Sequence, residues 1–246
     1  MGIKVGYKER IDQYASGRPS YPEALMNFIF ANFTKDATVA DIGAGTGIFT
    51  KLMAERFSKV YAIEPEEGMR NVLNKVAQET TNIITSDGSA EHTGLDDNSV
   101  DLICAAQAFH WFNATAFHKE ALRIMRPNGK LFIIHNIPPD ITMNITLNNI
   151  EKPETIKLTL AKRKEDRINF FGNDLKLEIF DNSTLYDKDR YIKYIMSLST
   201  GPDMKDGYLL MQLVDKIGDN FDKISKNGLV VLPFVTELYT TKGFYK

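Results

Sequence analysis

The sequence predicts an α/β fold in three layers, a mostly parallel sheet with helices on both faces. Three observations carry this. Short apolar runs alternate with helical patterns over residues 37–136. A glycine-rich turn, Gly43–Gly47, lies between the first strand and the helix after it. The second strand ends on an acidic residue, Glu64. Strands separated by helix-length segments need crossover connections, and crossovers join parallel strands.

Ser20-Tyr21-Pro22-Glu23 has the spacing of a capping box with proline in the first turn, and Leu25, Phe28, Ile29 and Phe33 follow at helical spacing. Ala37–Ile42 reads as a buried strand, and Thr46–Phe57 as a helix with Phe49, Leu52, Met53 and Phe57 on one face. Lys59–Glu64 is the second strand. Glu66–Ala77 is a helix with Met69, Leu73 and Val76 inward, and Asn82–Ser86 and Ser99–Ala105 are the third and fourth strands. Asn113–Met125 reads as a helix stopped by Arg126-Pro127-Asn128-Gly129, ahead of a fifth strand at Lys130–His135. After Asn136 the alternation fails. Residues 141–167 are mixed and polar, Leu175–Tyr186 alternates as a strand, and Asp189–Leu198 is helical. Leu210, Leu213, Val214, Ile217, Phe221 and Ile224 form an amphipathic stripe, and Gly228–Thr240 reads as a last strand. Two late strands added to five give a seven-stranded sheet.

Composition narrows the function. The 246 residues are 43% hydrophobic, enough for a sizeable core. Lys and Arg number 30 against 32 Asp and Glu, a net charge of −2, which argues against a nucleic-acid partner because polyanion affinity comes from neutralising phosphates. Cys104 is the single cysteine, so no intramolecular disulfide and no cysteine-rich zinc site is expected. His92, His110, His118 and His135 have no metal-ligand spacing, and no metal is expected. No apolar run reaches the ~18–20 residues that cross a bilayer, and the first residues lack an apolar signal core. A soluble cytoplasmic protein, without a membrane partner, is the expectation. The basic run Lys162-Arg163-Lys164, followed by Glu165-Asp166, reads as a solvated helix face.

The chemistry concentrates at strand ends. Glycines in Asp41-Ile42-Gly43-Ala44-Gly45-Thr46-Gly47 allow a tight turn and close approach of a ligand to the backbone, while the next helix offers free N–H groups. The spacing is G-x-G-x-G, where a dinucleotide site needs G-x-G-x-x-G. Glu64 lies 23 residues after Asp41, near the ~20 expected of an acidic residue that takes ribose hydroxyls.

Together VADIGAGTG, AIEP-x-x-x-M and SDGSAEHTGLDDNSVDLI resemble the class I S-adenosylmethionine-dependent methyltransferases. AQAFHWF and Tyr14-x-x-x-Arg18-Pro19-x-Tyr21-Pro22 look like the subgroup with the trans-aconitate-type, or methyltransferase type 11, small-molecule enzymes. LRIMRPNGKL is similar to that family's L-x-x-x-x-P-G-G segment, with Asn128 in place of the first glycine. The resemblance implies a Rossmann-like three-layer α/β/α sandwich with a mostly parallel seven-stranded sheet and an inserted helical cap. It implies one domain, with residues 1–36 as an N-terminal lid and helix, 37–136 as the cofactor-binding core, 137–228 as a substrate-recognition cap with a late strand, and 229–246 as the final strand.

The same resemblance implies S-adenosyl-L-methionine as cofactor and S-adenosyl-L-homocysteine as product. Asp41, Gly43, Ala44, Gly45 and Gly47 would hold its methionine end, Glu64 with Pro65 its ribose, and Met69 would pack near the adenine. Asp87, followed by Gly88, Ser89 and Ala90, would meet the adenine ring. Gln107 and Phe109 would lie near the methionine moiety, and Tyr14 or Arg18 would meet its carboxylate. His110 is the candidate catalytic residue, binding or activating the acceptor, with Tyr21 and Trp111 beside it on the substrate side. The acceptor implied is a small molecule, and a carboxylate suits the lack of an obvious general base. An NAD(P)-dependent oxidoreductase and a non-catalytic cofactor-binding module are the alternative readings.

Overall fold

The computed structural model describes residues 16–139, 153–198 and 207–241. In chain order the elements are α1 (Glu23–Asn32), β1 (Thr38–Ile42), α2 (Ile48–Ala54), β2 (Lys59–Ile63), α3 (Glu67–Gln78), β3 (Ile83–Ser86), β4 (Val100–Ala106), α4 (Ala114–Ile124) and β5 (Met125–Ile137). After them come α5 (Pro153–Phe171), β6 (Leu175–Asp181), β7 (Thr184–Tyr186), α6 (Lys188–Met196), α7 (Gly207–Ile224), β8 (Val230–Leu232) and β9 (Val235–Thr241). Seven strands form one sheet in the order β3-β2-β1-β4-β5-β9-β6. The five strands β3, β2, β1, β4 and β5 run parallel to their neighbours. This is the predicted Rossmann-like architecture, with a helical insertion in the chain between β6 and β9.

The chain divides into two compact units, one of residues 20–136, 162–180 and 236 onward, the other of residues up to 19, 137–161 and 181–235. In the first, adjacent strand residues serve opposite faces, as the period of two requires. Val39, Leu102, Phe132 and Ile134 join Leu25, Ile29, Met53 and Phe57 of the α1/α2 side. Ala40, Ile103, Leu131 and Ile133 join Phe117, Ala121, Ile124 and Phe171 of the α4/α5 side. Both faces of β1 are covered, so all five of its residues are buried. That explains why this strand reads as a continuous apolar run interrupted only by Asp41.

α4 stops at Ile124, and the predicted stop signal becomes a bulge. The register runs from Val100↔Met125 to Leu102↔Lys130, so Arg126–Gly129 loop out of the ladder. Asn128 sits there at φ 66°, a left-handed backbone that asparagine tolerates better than most residues. The Asp101 carboxylate fixes the bulge by accepting from the Arg126 guanidinium at 2.6 Å and the Thr38 N–H at 2.8 Å.

Two late strand readings break in the structure. Leu175–Tyr186 divides into β6 and β7 because Ser183 turns back to donate to the Asp181 carboxylate at 2.8 Å. Gly228–Thr240 divides into β8 and β9 at Pro233 and Phe234, where proline lacks the N–H a continuous ladder needs. β7 and β8 instead pair antiparallel as a separate two-stranded sheet.

The second unit has its own core, in which Tyr186, Tyr191, Tyr194, Phe221 and Phe234 pack with Ile195, Leu213 and Ile217. Asp187 caps α6 by accepting from the Arg190 N–H at 2.8 Å. Gly17 packs so closely on α6 that a Cβ there would lie 2.5 Å from the backbone of Lys193 and Tyr194. The Tyr186 hydroxyl donates to the Gly17 carbonyl at 3.1 Å.

Candidate functional site

The glycine turn follows β1 and is pinned to the next strand. The Gly43 and Ala44 N–H groups both donate to the Ile63 carbonyl, at 2.8 and 3.0 Å. Gly43, Gly45 and Gly47 have φ of 71°, 60° and 88°, which favours glycine at all three. Their surroundings differ. A Cβ at Gly43 would meet the Ala108 methyl at 2.5 Å, and one at Gly47 the Leu73 side chain at 2.9 Å. A Cβ at Gly45 would project into open space. The outer two glycines thus serve close packing, and the middle one faces the space a ligand would enter.

Asp41 lies under this turn, fully buried. Its Oδ2 accepts from the Thr50 hydroxyl at 2.6 Å, while Oδ1 has no hydrogen-bond partner. Burial pushes the Asp41 carboxyl up to about 7, with the Thr50 bond opposing and the Glu64 charge adding. Glu64 grips the turn from β2. One carboxylate oxygen accepts from the Gly45 N–H at 2.8 Å and the other from the Glu66 N–H at 2.9 Å. Burial raises the Glu64 carboxyl and these backbone bonds lower it, leaving it above the ordinary value. Each of its oxygens retains a lone pair for a further donor. The Arg70 guanidinium donates to the Glu64 and Pro65 carbonyls at 2.8 and 3.0 Å, which holds the end of β2.

Met69 is buried in the first turn of α3, and its N–H donates to the capping Glu66 side chain at 2.7 Å. Asp87 is exposed just beyond β3. The segment after it has structural duties: a Cβ at Gly88 would lie 2.5 Å from the Thr93 carbonyl oxygen, Ser89 closes a turn with His92, and Ala90 belongs to the core. At the end of β4, Gln107 has φ 59°, and its side-chain amide donates to the Asn136 carbonyl at 2.9 Å. A non-glycine residue in that region stores strain, and such residues cluster at functional sites.

Residues 109–111 form a 3-10 turn between β4 and α4. Phe109 is buried there against Phe112, Phe117 and Phe170. His110 borders a cleft of about 540 Å³ between α4 and α5, shared with Phe112, Lys119, Arg163, Asp166 and Phe170. Trp111 is 54% exposed. Phe112 links the two regions, since it lines the cleft and lies 3.4 Å from the Cβ position of Gly43.

The remaining expected site residues are Tyr21, Arg18 and Tyr14. Tyr21 packs edge-on against Phe49 at 4.8 Å. Arg18 belongs to the second unit, where its guanidinium donates to the Ser197 carbonyl at the end of α6 at 3.0 Å and lies over the Tyr194 ring. Tyr14 falls outside the described residues. The run Lys162-Arg163-Lys164 is only partly the solvated face expected. Lys162 and Lys164 are exposed, but Arg163 is half-buried in the cleft and Arg167, one turn on, is 3% exposed. The spacing of Arg163 and Arg167 was the available signal, four residues apart on one helix face. Among the described residues no cluster of metal-ligating side chains occurs, and no helix is long and apolar enough to cross a membrane.

S-Adenosylmethionine fits these residues. The turn leaves two buried oxygens, Asp41 Oδ1 and Thr46 Oγ1, without partners, and opens at Gly45. The cofactor's ammonium and ribose hydroxyls are donors of the kind that two strand-end carboxylates recognise.

Residues 40–133 match the family model described as a methyltransferase domain. An uncharacterised methyltransferase of Mycobacterium tuberculosis is 34% identical over 134 residues, 54% of this chain and 53% of that protein. The malonyl-[acyl-carrier protein] O-methyltransferase of Geobacter sulfurreducens is 27% identical over 122 residues, 48% of this chain and 45% of that protein. Among solved structures, a geranyl diphosphate methyltransferase in complex with SAM superimposes with a TM-score of 0.52 at 11% identity, covering 99% of this chain and 93% of that one. The matched stretch spans about half the length of such curated relatives. Fold, glycine turn and family match agree: residues 40–133 carry the sequence pattern of a methyltransferase domain on a Rossmann-like α/β fold.

Proposed function

We propose that this chain transfers a methyl group from S-adenosylmethionine to a small carboxylic acid. The observation that carries the reading is the site after β1, where Asp41, Glu64 and the opening at Gly45 converge, with Phe112 joining it to a cleft of substrate size. When bound, the cofactor supplies a methyl group on a sulfonium, a good leaving group. Asp41 and the 43–47 turn hold its methionine end, and Glu64 with Pro65 its ribose. Met69, Asp87 and residues 88–90 border the adenine, and Gln107 and Phe109 form the wall toward the acceptor. For a carboxylate acceptor the oxygen is already ionised at neutral pH, so no side chain has to remove a proton. The protein's task is then to align the acceptor with the methyl and to exclude water.

His110 suits a binding role, because it borders the cleft within the same turn as Phe109. His110→Ala is expected to raise the acceptor KM more than it lowers kcat. Equal values for variant and parent would remove His110 from the site. The malonyl carrier-protein enzyme among the relatives, an O-methyltransferase by name, supports the oxygen as the methylated atom.

Incubation with methyl-labelled cofactor and a metabolite extract, followed by mass spectrometry, tests the function. A labelled methyl ester is the expected product. Labelling on nitrogen or carbon would overturn the carboxylate reading. Cofactor binding without any labelled product would favour a non-catalytic module, and NADH binding in place of S-adenosylhomocysteine an oxidoreductase.

A further inference from the structure

We propose that the cleft between α4 and α5 is the acceptor site and that its anion-binding end is built by Arg163 and His110, backed by buried Arg167 and His135. This rests on the methyltransferase reading above and goes beyond it by naming where the acceptor binds and which charge it carries.

The cleft lining carries two cations, Lys119 and Arg163, against one carboxylate, Asp166, in a molecule of net charge −2. Arg163 lines the cleft, Arg167 follows one turn on in the same helix, and Lys164 lies between them. His110 lines the cleft, and the His135 ring of β5 lies 5.7 Å from it. Glu237 accepts from Lys164 at 2.9 Å and lies 3.7 Å from Arg167, and Asp166 is exposed at the cleft.

Two buried nitrogens here lack any hydrogen-bond partner, Arg167 Nε and His135 Nε2. Arg167 is 3% exposed and His135 5% exposed. The Arg167 guanidinium is otherwise held by Glu237 and by the Tyr239 ring, 4.9 Å from its centroid, and a buried nitrogen left unsatisfied is unfavourable. The same cations lower the His135 imidazole, after burial, with Arg167, His110 and Arg163 each contributing. An anion seated against Arg163 relieves that repulsion.

The cleft also has an aromatic lining. Phe170 stacks on Phe117 with centroids 5.8 Å apart, and Phe117 meets Phe112 at 4.9 Å. Phe112 and Phe170 both face the cleft. The space therefore suits a compact carboxylate with a flat apolar body, its charged end toward Arg163. Phe112 also abuts the glycine turn, which brings that body next to the cofactor-holding residues.

Isothermal titration calorimetry on the full chain tests this with benzoate and phthalate as probes, benzamide as the uncharged control, and S-adenosylhomocysteine titrated first. The expected result is binding of S-adenosylhomocysteine, then of phthalate and benzoate at least tenfold tighter than benzamide. Arg163→Gln is expected to lose at least tenfold in phthalate affinity and to keep S-adenosylhomocysteine affinity within twofold. Lys162→Gln, an exposed change on the same helix, is expected to bind both as the parent does. Benzamide binding as well as benzoate, no carboxylate binding, or an Arg163→Gln protein with parental phthalate affinity would each overturn the anion site. Failure of S-adenosylhomocysteine to bind would instead overturn the methyltransferase reading.

Discussion

Asp41 is the residue on which stability and the proposed cofactor binding oppose each other. Its carboxyl titrates near 7 in the fold against an ordinary 3.8. A raised acid pKa means the unfolded chain gives up its proton first. Asp41 therefore makes the fold progressively less stable as pH rises from about 4 to about 7, with no further change above. Binding of a cationic ammonium favours the ionised carboxylate. S-Adenosylhomocysteine affinity is thus expected to fall as pH drops below 7, by up to about tenfold per unit, in calorimetry at pH 6 and pH 8. Asp41→Asn is expected to weaken that binding more than tenfold without lowering the melting temperature at pH 8. A variant that binds normally would remove Asp41 from the cofactor site. Gly45 and Gly88 make a related contrast. Both are legible in the sequence as glycines, yet only the structure separates one facing open space from one pressed on the Thr93 carbonyl.

Single elements are held by a few polar anchors. α4 is fastened to the loop before β4 by Glu120, whose carboxylate accepts from the Thr93 N–H at 2.7 Å, the Thr93 hydroxyl at 2.6 Å and the Arg123 guanidinium at 2.8 Å. Burial raises this carboxyl, but the bonds from Arg123 and Thr93 outweigh it and hold it at about 2. A depressed acid pKa stabilises the fold above the ordinary 4.5, and that contribution is lost as pH falls from about 4.5 to about 2. Glu120→Gln is expected to cost about 1–3 kcal/mol at pH 7 and to flatten the acid limb of a stability profile measured by urea melts. In the second unit, Gly17→Ala places a methyl into the α6 backbone. About 1–3 kcal/mol of destabilisation is expected, read as faster hydrogen exchange in residues 188–196. The alternating run 175–186 was legible as strand, but its break at Asp181–Ser183 depends on a side-chain turn. The break at Pro233 had a signal, since proline inside a strand pattern argues against continuity.

For the whole molecule, net charge and local charge point in different directions. A balance of −2 describes the chain, while the cleft lining carries Lys119 and Arg163 against Asp166 alone. Exposed charges are screened beyond a Debye length, ~8 Å at physiological ionic strength and ~3 Å at 1 M. Raising salt from 50 to 500 mM is accordingly expected to weaken phthalate binding several-fold and to leave S-adenosylhomocysteine binding nearly unchanged. Equal salt responses for the two ligands would argue against a charge-selective cleft.

The sequence by itself determined the order of strands and helices through residue 137, the glycine turn and the acidic end of β2. These are local features: buried parallel strands read as apolar runs, and left-handed turns favour glycine. Tertiary structure alone decided the rest. It inserted β9 between β5 and β6, gathered side chains of β7, α6, α7 and β8 into a core of their own, assigned Arg18 to a helix end, and brought Arg163 to a cleft with His110, whose ring lies 5.7 Å from that of His135. These contacts join residues far apart in the chain, and their energies depend on burial and partners that no window of sequence contains.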